Sequence, residues 1–283
     1  MTAIIDSYKR AYGIAEATLD ERRELGFAPR IPESANLFDI LSKAVIDRDT
    51  STFNFPEGFA NILKDLDSGR NVVLAVNHGS YADNLAVHAL LDHTDPELNR
   101  RALYIASTPR RGADEEVFFN GVDRIQVYSD SMVERATDDM KRKMKAQNLT
   151  AIKDFMRLLM GGGYLVIIYP EGEFNDGRLM RGSLGSSVIF EAVSRYSPKG
   201  SELYPVYIDG AQEILPPGMF SDTIPKTRRG PVNIQVGRPS DLHQMVFDLS
   251  GEDLKSRRRL VDAVMGKIAE LAPKDRRGHY GGA

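Results

Sequence analysis

Six short apolar runs, interleaved with stretches of helical spacing, constrain this chain more than any other feature. They are Asn71–Val76, Leu103–Ile105, Ile125–Val127, Tyr164–Tyr169, Glu202–Ile208 and Val232–Val236. Val72-Val73-Leu74-Ala75-Val76 has no polar residue to alternate with, as expected of a strand buried on both faces. Helical patterns lie near Asn84–Leu91, Asn148–Met160 and Ser187–Tyr196. Strands alternating with helices predict an α/β fold, with a mixed, largely parallel central sheet flanked by helices. Pro205, inside the fifth run, has no N–H, so that strand is expected at an edge, a start or a bulge.

Residues 1–66 hold no strand-like run and read as a small N-terminal helical domain. Ile4–Leu25 places Tyr8, Ala11, Tyr12, Ala15 and Leu19 at helical spacing; Gly26 stops it, and Pro29 and Pro32 mark a turn. Asn36–Asp47 predicts a second helix, and Pro56-Glu-Gly-Phe59 opens a third that runs to Leu66. The expected division is a helical domain at 1–66, an α/β domain at 67–272 and a flexible, glycine-rich tail at 273–283. A last helix is expected over Gly251–Leu271, with Lys255 and Arg257–Arg259 on its solvated side.

Composition narrows the function. A net charge of -3 argues against nucleic acid as the main partner. With no cysteine, thiolate catalysis and disulfides are excluded. The start, Met1-Thr-Ala-Ile-Ile-Asp6, does not resemble a signal sequence, and no apolar stretch approaches the ~20 residues of a membrane span. The expectation is a soluble, cytoplasmic protein with at most peripheral membrane contact.

The richest motif is His78-Gly-Ser-Tyr-Ala-Asp83, at the abrupt turn between the Asn71–Val76 strand and the following helix. Ligands in open α/β sheets sit outside the carboxyl ends of strands, where His78 falls. A carboxylate that takes a hydrogen bond from one imidazole nitrogen leaves the other free to accept a proton. The plainer reading makes His78 a satisfied turn residue, with Asp83 favouring a helix N-terminus. Two further strands end in polar loops, Pro170-Glu-Gly-Glu-Phe-Asn-Asp-Gly177 and the end of Leu203-Tyr-Pro-Val-Tyr-Ile-Asp209. Three such ends point to one cleft.

In this order, His-x4-Asp, then Pro-Glu-Gly, then a Pro-Val strand, the chain resembles the glycerolipid (lysophospholipid) acyltransferase superfamily. Within it, the chain is more similar to the soluble, plastid-type glycerol-3-phosphate acyltransferases. The likeness runs from Asn71 to about Phe220, through Val127-Tyr-Ser129, Lys141-Arg-Lys143, Leu158-Leu-Met-Gly-Gly-Gly163 and Ile214-Leu-Pro-Pro217. That family also carries a helical domain ahead of its α/β domain.

The resemblance implies transfer of a fatty acyl group from a thioester, on acyl-carrier protein or acyl-CoA, to the hydroxyl of a small acceptor. His78 would be the general base and Asp83 its orienting partner. No resident cofactor and no metal are expected, since no pair of histidines has ligand spacing. Carried over to this chain, the acceptor site comprises Ser129 and Asp130 after the Val-Tyr pair, Glu171, Gly172, Phe174 and Asp176 in the strand-end loop, and Arg178 and Arg181 beyond it. The family holds the acceptor phosphate with a Lys-His pair after Val-Tyr-Ser and two arginines in that loop. Here those places read Asp130-Ser-Met132 and Glu173-Phe-Asn-Asp176. Either Arg178, Arg181, Arg110 or Arg111 binds the phosphate instead, or the acceptor is a neutral polyol, a sugar or an amine. Glu171 is expected to hold loop backbone or an acceptor hydroxyl rather than move a proton.

Lys141, Arg142 and Lys143, within Met140–Lys145, would dock the anionic donor or form a solvated face; Lys226–Arg229 and Arg257–Arg259 are weaker versions of the same idea. His88 reads as a packing or surface residue, and His93, His243 and His279 as loop or tail residues. Gly161-Gly-Gly163 precedes a strand and reads as a helix stop, not a phosphate cradle. Two other classes stand beside the acyltransferase. One is a serine hydrolase through Ser80 or Ser183, neither in a Gly-x-Ser-x-Gly elbow; the other is a noncatalytic acyl-binding protein.

Overall fold

The computed structural model describes residues 2–107, 116, 117, 119–215, 228–249, 251 and 253–282. Its centre is a nine-stranded sheet. In chain order the strands are β1 (Phe27–Ala28), β2 (Thr52–Asn54), β3 (Asn71–Val76), β4 (Ala102–Ser107), β5 (Asp123–Val127), β6 (Leu165–Ile168), β7 (Ser201–Asp209), β8 (Asn233–Val236) and β9 (Ser240–Asp241). They lie in the order β1-β5-β4-β6-β3-β7-β8-β2, with β9 also on β7. From β5 to β7 all pairs are parallel; β1 joins β5, and β8 and β9 join β7, antiparallel. The sheet is thus mixed and largely parallel.

The helices are α1 (Thr2–Arg23), α2 (Pro32–Val45), α3 (Ile62–Asp67), α4 (Ala82–Thr94), α5 (Leu98–Arg101), α6 (Asp130–Arg135), α7 (Asp138–Gly161), α8 (Gly185–Tyr196), α9 (Ala211–Ile214), α10 (Leu242–Leu249) and α11 (Leu254–Leu271). They cover both faces. Val72, Leu74 and Val76 pack with Phe38 of α2, Ile62 of α3 and Leu85 of α4. Val73 and Ala75 point the other way, into the layer formed by Phe155 of α7, Phe190 of α8 and Val264 of α11. Two buried faces explain why β3 is apolar at every position.

Several sequence expectations need correction. Residues 1–66 are not purely helical: β1 and β2 add to the sheet, the latter in parallel register with β8, Thr52 opposite Asn233. Strands of two and three residues leave no periodicity to detect. Pro32 does not end a turn; it opens α2, where its missing N–H is no loss. The third expected helix starts late, with a 3-10 turn at Phe59–Asn61 before α3. Helix α7 begins ten residues before the expected Asn148, because its first turns carry mostly solvated charge. His243 lies in α10, which the sequence did not suggest, and His93 lies in the last turn of α4.

Pro205 sits in a central strand, between β3 and β8. The exception is local. On its other side β8 stops at Val206 and β9 starts at Leu203, so Pro205 faces the gap, where its carbonyl accepts Gly237 N–H at 2.8 Å. The tail is not loose where it is described. His279 N–H donates to Leu179 O at 3.0 Å, and the Tyr280 hydroxyl donates to Asp262 at 3.0 Å and accepts Gly182 N–H at 3.2 Å. Gly162 and Gly163 both have positive φ, and a Cβ on Gly162 would lie 2.4 Å from Gly69 O, so the glycines are a helix stop and close crossing.

Candidate active site

Strand β3 leaves the sheet at Asn77, whose side chain donates to Ile208 O at 3.0 Å and accepts Ile208 N–H at 2.6 Å. His78 follows at once. Its Nδ1 lies 3.0 Å from Asp83 Oδ2 in the first turn of α4. The same oxygen accepts Gly79 N–H and Ser80 N–H, each at 2.8 Å. The catalytic and plainer readings of Asp83 therefore coincide: one buried carboxylate oxygen orders the turn and holds the imidazole. With Nδ1 committed to Asp83, Nε2 is the nitrogen able to accept a proton.

Aromatic rings fix the imidazole plane. His78 stacks on Tyr169 with centroids 4.1 Å apart and 22° between planes, and Phe174 lies 4.3 Å away. Tyr169 donates its hydroxyl to Asn84 Oδ1 at 2.8 Å. Burial holds that phenol well above its usual range, with Tyr104 and Asp83 adding to the effect, so it stays neutral beside the histidine.

The Pro-Glu-Gly loop carries the second anchor. Glu171 is 3% exposed. Its Oε2 accepts His78 N–H at 2.7 Å, its Oε1 accepts Met180 N–H at 2.7 Å, and Asn175 Nδ2 donates to both oxygens at 3.1 and 3.0 Å. Burial pushes its carboxyl up to about 7, against the pull of those donors. Gly172, with φ of 74°, turns the loop, and a Cβ there would lie 3.1 Å from Ser183 Cβ.

A cavity of about 740 Å³ opens at these strand ends. One wall is aromatic, with Phe38, Tyr81, Tyr104 and Phe119; the other is aliphatic, with Ile105, Val127, Ile152, Ile168 and Ile189. Of the residues singled out from sequence, His78, Ser129, Asp130, Gly172, Glu173, Phe174 and Ser183 line it. Asp83 and Glu171 lie behind that lining, each hydrogen-bonded to His78. Asp176, Arg178 and Arg181 are exposed and do not line it; Arg181 is 3.9 Å from Asp262 instead. Arg110 and Arg111, and Lys226 and Thr227, lie outside the described residues. Asp130 also bridges elements, accepting Gly185 N–H at 3.2 Å at the start of α8.

The expected docking residues lie at the start of α7 outside the cavity lining, beside exposed acids. Lys141 is 3.8 Å from Asp138, and Arg142 and Lys143 are 3.5 and 3.3 Å from Asp139. Among the described residues Lys145 is the one lysine or arginine lining the cavity. Helical spacing was the signal: Lys145, Asn148, Leu149 and Ile152 share one face of α7. Sequence reasoning also missed Tyr169 and Asn175, whose roles arise from packing across the sheet. Both candidate serines donate to other protein groups. Ser80, fully buried, donates to Leu215 O, and Ser183 donates to Asp130 Oδ2 at 3.3 Å. Among the described residues no three His, Cys, Asp or Glu side chains group to hold a metal, and no helix is long and apolar enough to cross a membrane.

Known proteins resemble this chain. The family model described as acyltransferase matches residues 54–209, more than half of the chain. The chain is 30% identical over 162 residues to the chloroplastic glycerol-3-phosphate acyltransferase ATS11 of Cucurbita moschata, covering 54% of this chain and 36% of that protein. With the chloroplastic ATS12 of the same organism it shares 34% identity over 116 residues, 40% of this chain and 25% of that protein. The matches therefore span about a third and a quarter of these curated relatives. Among solved structures it is similar to the 1-acyl-sn-glycerophosphate acyltransferase PlsC of Thermotoga maritima, with TM-score 0.48 and 16% identity, over 84% of this chain and 80% of that one.

Proposed function

The chain belongs to the acyltransferase family, and from that premise we propose that it moves a fatty acyl group from acyl-CoA or acyl-carrier protein to an acceptor hydroxyl. The observation that carries this is the 3.0 Å contact of His78 Nδ1 with Asp83, beside a largely apolar cavity that His78 itself lines. His78 Nε2 takes the hydroxyl proton as the acceptor oxygen attacks the thioester carbon. Asp83 stabilises the resulting imidazolium. As the tetrahedral intermediate collapses, the C–S bond breaks and the imidazolium returns its proton to the departing thiolate. No acyl-enzyme forms, in keeping with a chain that has no cysteine and whose two candidate serines donate to other protein groups. The aliphatic wall suits the acyl chain.

For the acceptor, a hydroxyl compound without phosphate fits best. Asp130 and Glu173 line the cavity against a single described lysine, Lys145, so among the described lining residues a phosphate dianion would face more negative than positive side-chain charge. The names of the curated relatives favour glycerol 3-phosphate instead. The deciding experiment gives purified protein palmitoyl-CoA and palmitoyl-carrier protein with glycerol 3-phosphate, glycerol, sugars and small amines, and reads products by mass. Acylated neutral acceptors are expected. Acylated glycerol 3-phosphate alone would overturn the acceptor reading, and no acylated product from any pair would overturn acyl transfer.

A further inference from the structure

We propose that Glu171 is a positioning residue for catalysis: with Asn175 it holds both main-chain polar groups of His78, the N–H and the C=O, and so sets where the imidazole stands. The inference rests on His78 being the base, and the test below separates the two.

The sheet ladder ends before His78, at Val76. Asp83 holds the ring and the next two amides, but not the main chain of His78 itself. That task falls to the strand-end loop of β6. Glu171 Oε2 accepts His78 N–H at 2.7 Å, and Asn175 N–H donates to His78 O at 2.7 Å. The Asn175 side chain in turn holds both Glu171 oxygens, and its Oδ1 accepts Gly177 N–H at 3.0 Å. Both residues are buried, and neither lines the cavity. A misplacement of the base by about 1 Å is enough to cost roughly 100-fold in rate, which gives such a grip its leverage.

The grip requires the ionised carboxylate. Both oxygens face N–H donors, so an added proton has no acceptor to meet and displaces one of them. The charged and titratable groups around Glu171 include Asp83 and His78 on one side and Tyr207 on the other, with Asp209, Arg276 and Asp275 acting on Tyr207. Burial and the Asp83 charge raise the Glu171 carboxyl to about 7, above the roughly 4.3 of an unfolded chain. The sign follows. Between those values the folded state holds a proton that the unfolded chain lacks, so acidification through neutrality favours the fold while it loosens the grip.

The test measures kcat, donor KM and Tm from pH 6 to 8 for wild type, Glu171→Gln, Asn175→Ala and His78→Ala. Glu171→Gln is expected to lower kcat about tenfold at pH 8 with donor KM within about twofold. Its kcat should lose an acid-side proton step, near pH 7, that wild type shows. The Tm of wild type minus that of Glu171→Gln should rise as pH falls. Asn175→Ala, which keeps the main-chain donor, should lower kcat by a few-fold and keep the acid step; it carries the kcat and KM comparison if Glu171→Gln does not fold. A Glu171→Gln enzyme with wild-type kcat and pH profile, while His78→Ala is inactive, overturns the grip alone. A raised KM at unchanged kcat makes Glu171 a substrate ligand and also overturns it. Activity in His78→Ala overturns the general-base reading beneath it.

Discussion

At the turn of residues 77–83, side chains reach inward to buried main chain: Asn77 to Ile208, Ser80 to Leu215, Asp83 to Gly79 and Ser80. Across the cavity, at 129–145, the polar groups mostly bond near neighbours at the surface. Ser129 and Ser131 hydroxyls lie 3.1 Å apart, Ser131 donates to Glu173, and the basic residues of α7 pair with Asp138 and Asp139. Changes in the first region leave buried groups unpaired; changes in the second exchange one solvated contact for another. In the proposed mechanism the chemistry belongs to the side whose polar groups hold buried main chain, and substrate choice to the side whose polar contacts lie at the surface.

The hardest attempt to break this contrast is His78→Ala. Turnover should fall about 1,000-fold, in the range of a lost general base, while the acyl thioester still binds; unchanged turnover removes the base from the turn. Asp83→Asn should lower kcat about 100-fold and, through the two amides it holds, lower stability by about 2 kcal/mol in urea titration. A kinetic loss without a stability loss would show that the turn is held elsewhere. Phe174→Arg sharpens the opposite side. It should raise kcat/KM for phosphorylated over neutral acceptors about tenfold, because it adds a guanidinium to the cavity wall. The smallest effects belong to α7. Lys145→Ala should raise donor KM a few-fold, less at high salt, whereas the triple change of Lys141, Arg142 and Lys143 to Ala should move CoA-thioester KM less than about twofold. A larger effect of the triple change would place donor docking on the helix start.

Much of this was legible because it is local or periodic. The β3 run matches the strand residue for residue, and the His78–Asp83 spacing lies within a single turn. Glu171 was legible as a holder of loop backbone, but not which backbone, since His78 is far away in the chain. Tyr169 was read only as the last residue of a strand; that it supports the imidazole depends on β6 lying beside β3. Arg124 and Glu116 were not legible at all. They form a buried ion pair with Arg22 nearby, and burial pulls the Arg124 guanidinium down to about 10. Three charged residues scattered among polar neighbours give no pattern that distinguishes them from a solvated surface.

The separations along the chain turn the His78 turn into a question of time. Its partners at Glu171, Ile208 and Leu215 lie 93, 131 and 135 residues away in sequence. Contacts that close such long loops form slowly, after local helices have paid little entropy to appear. On refolding from denaturant, helical signal should therefore return well before the amides of Gly79 and Ser80 resist hydrogen exchange, and the helices should be in place before His78 meets its distant partners.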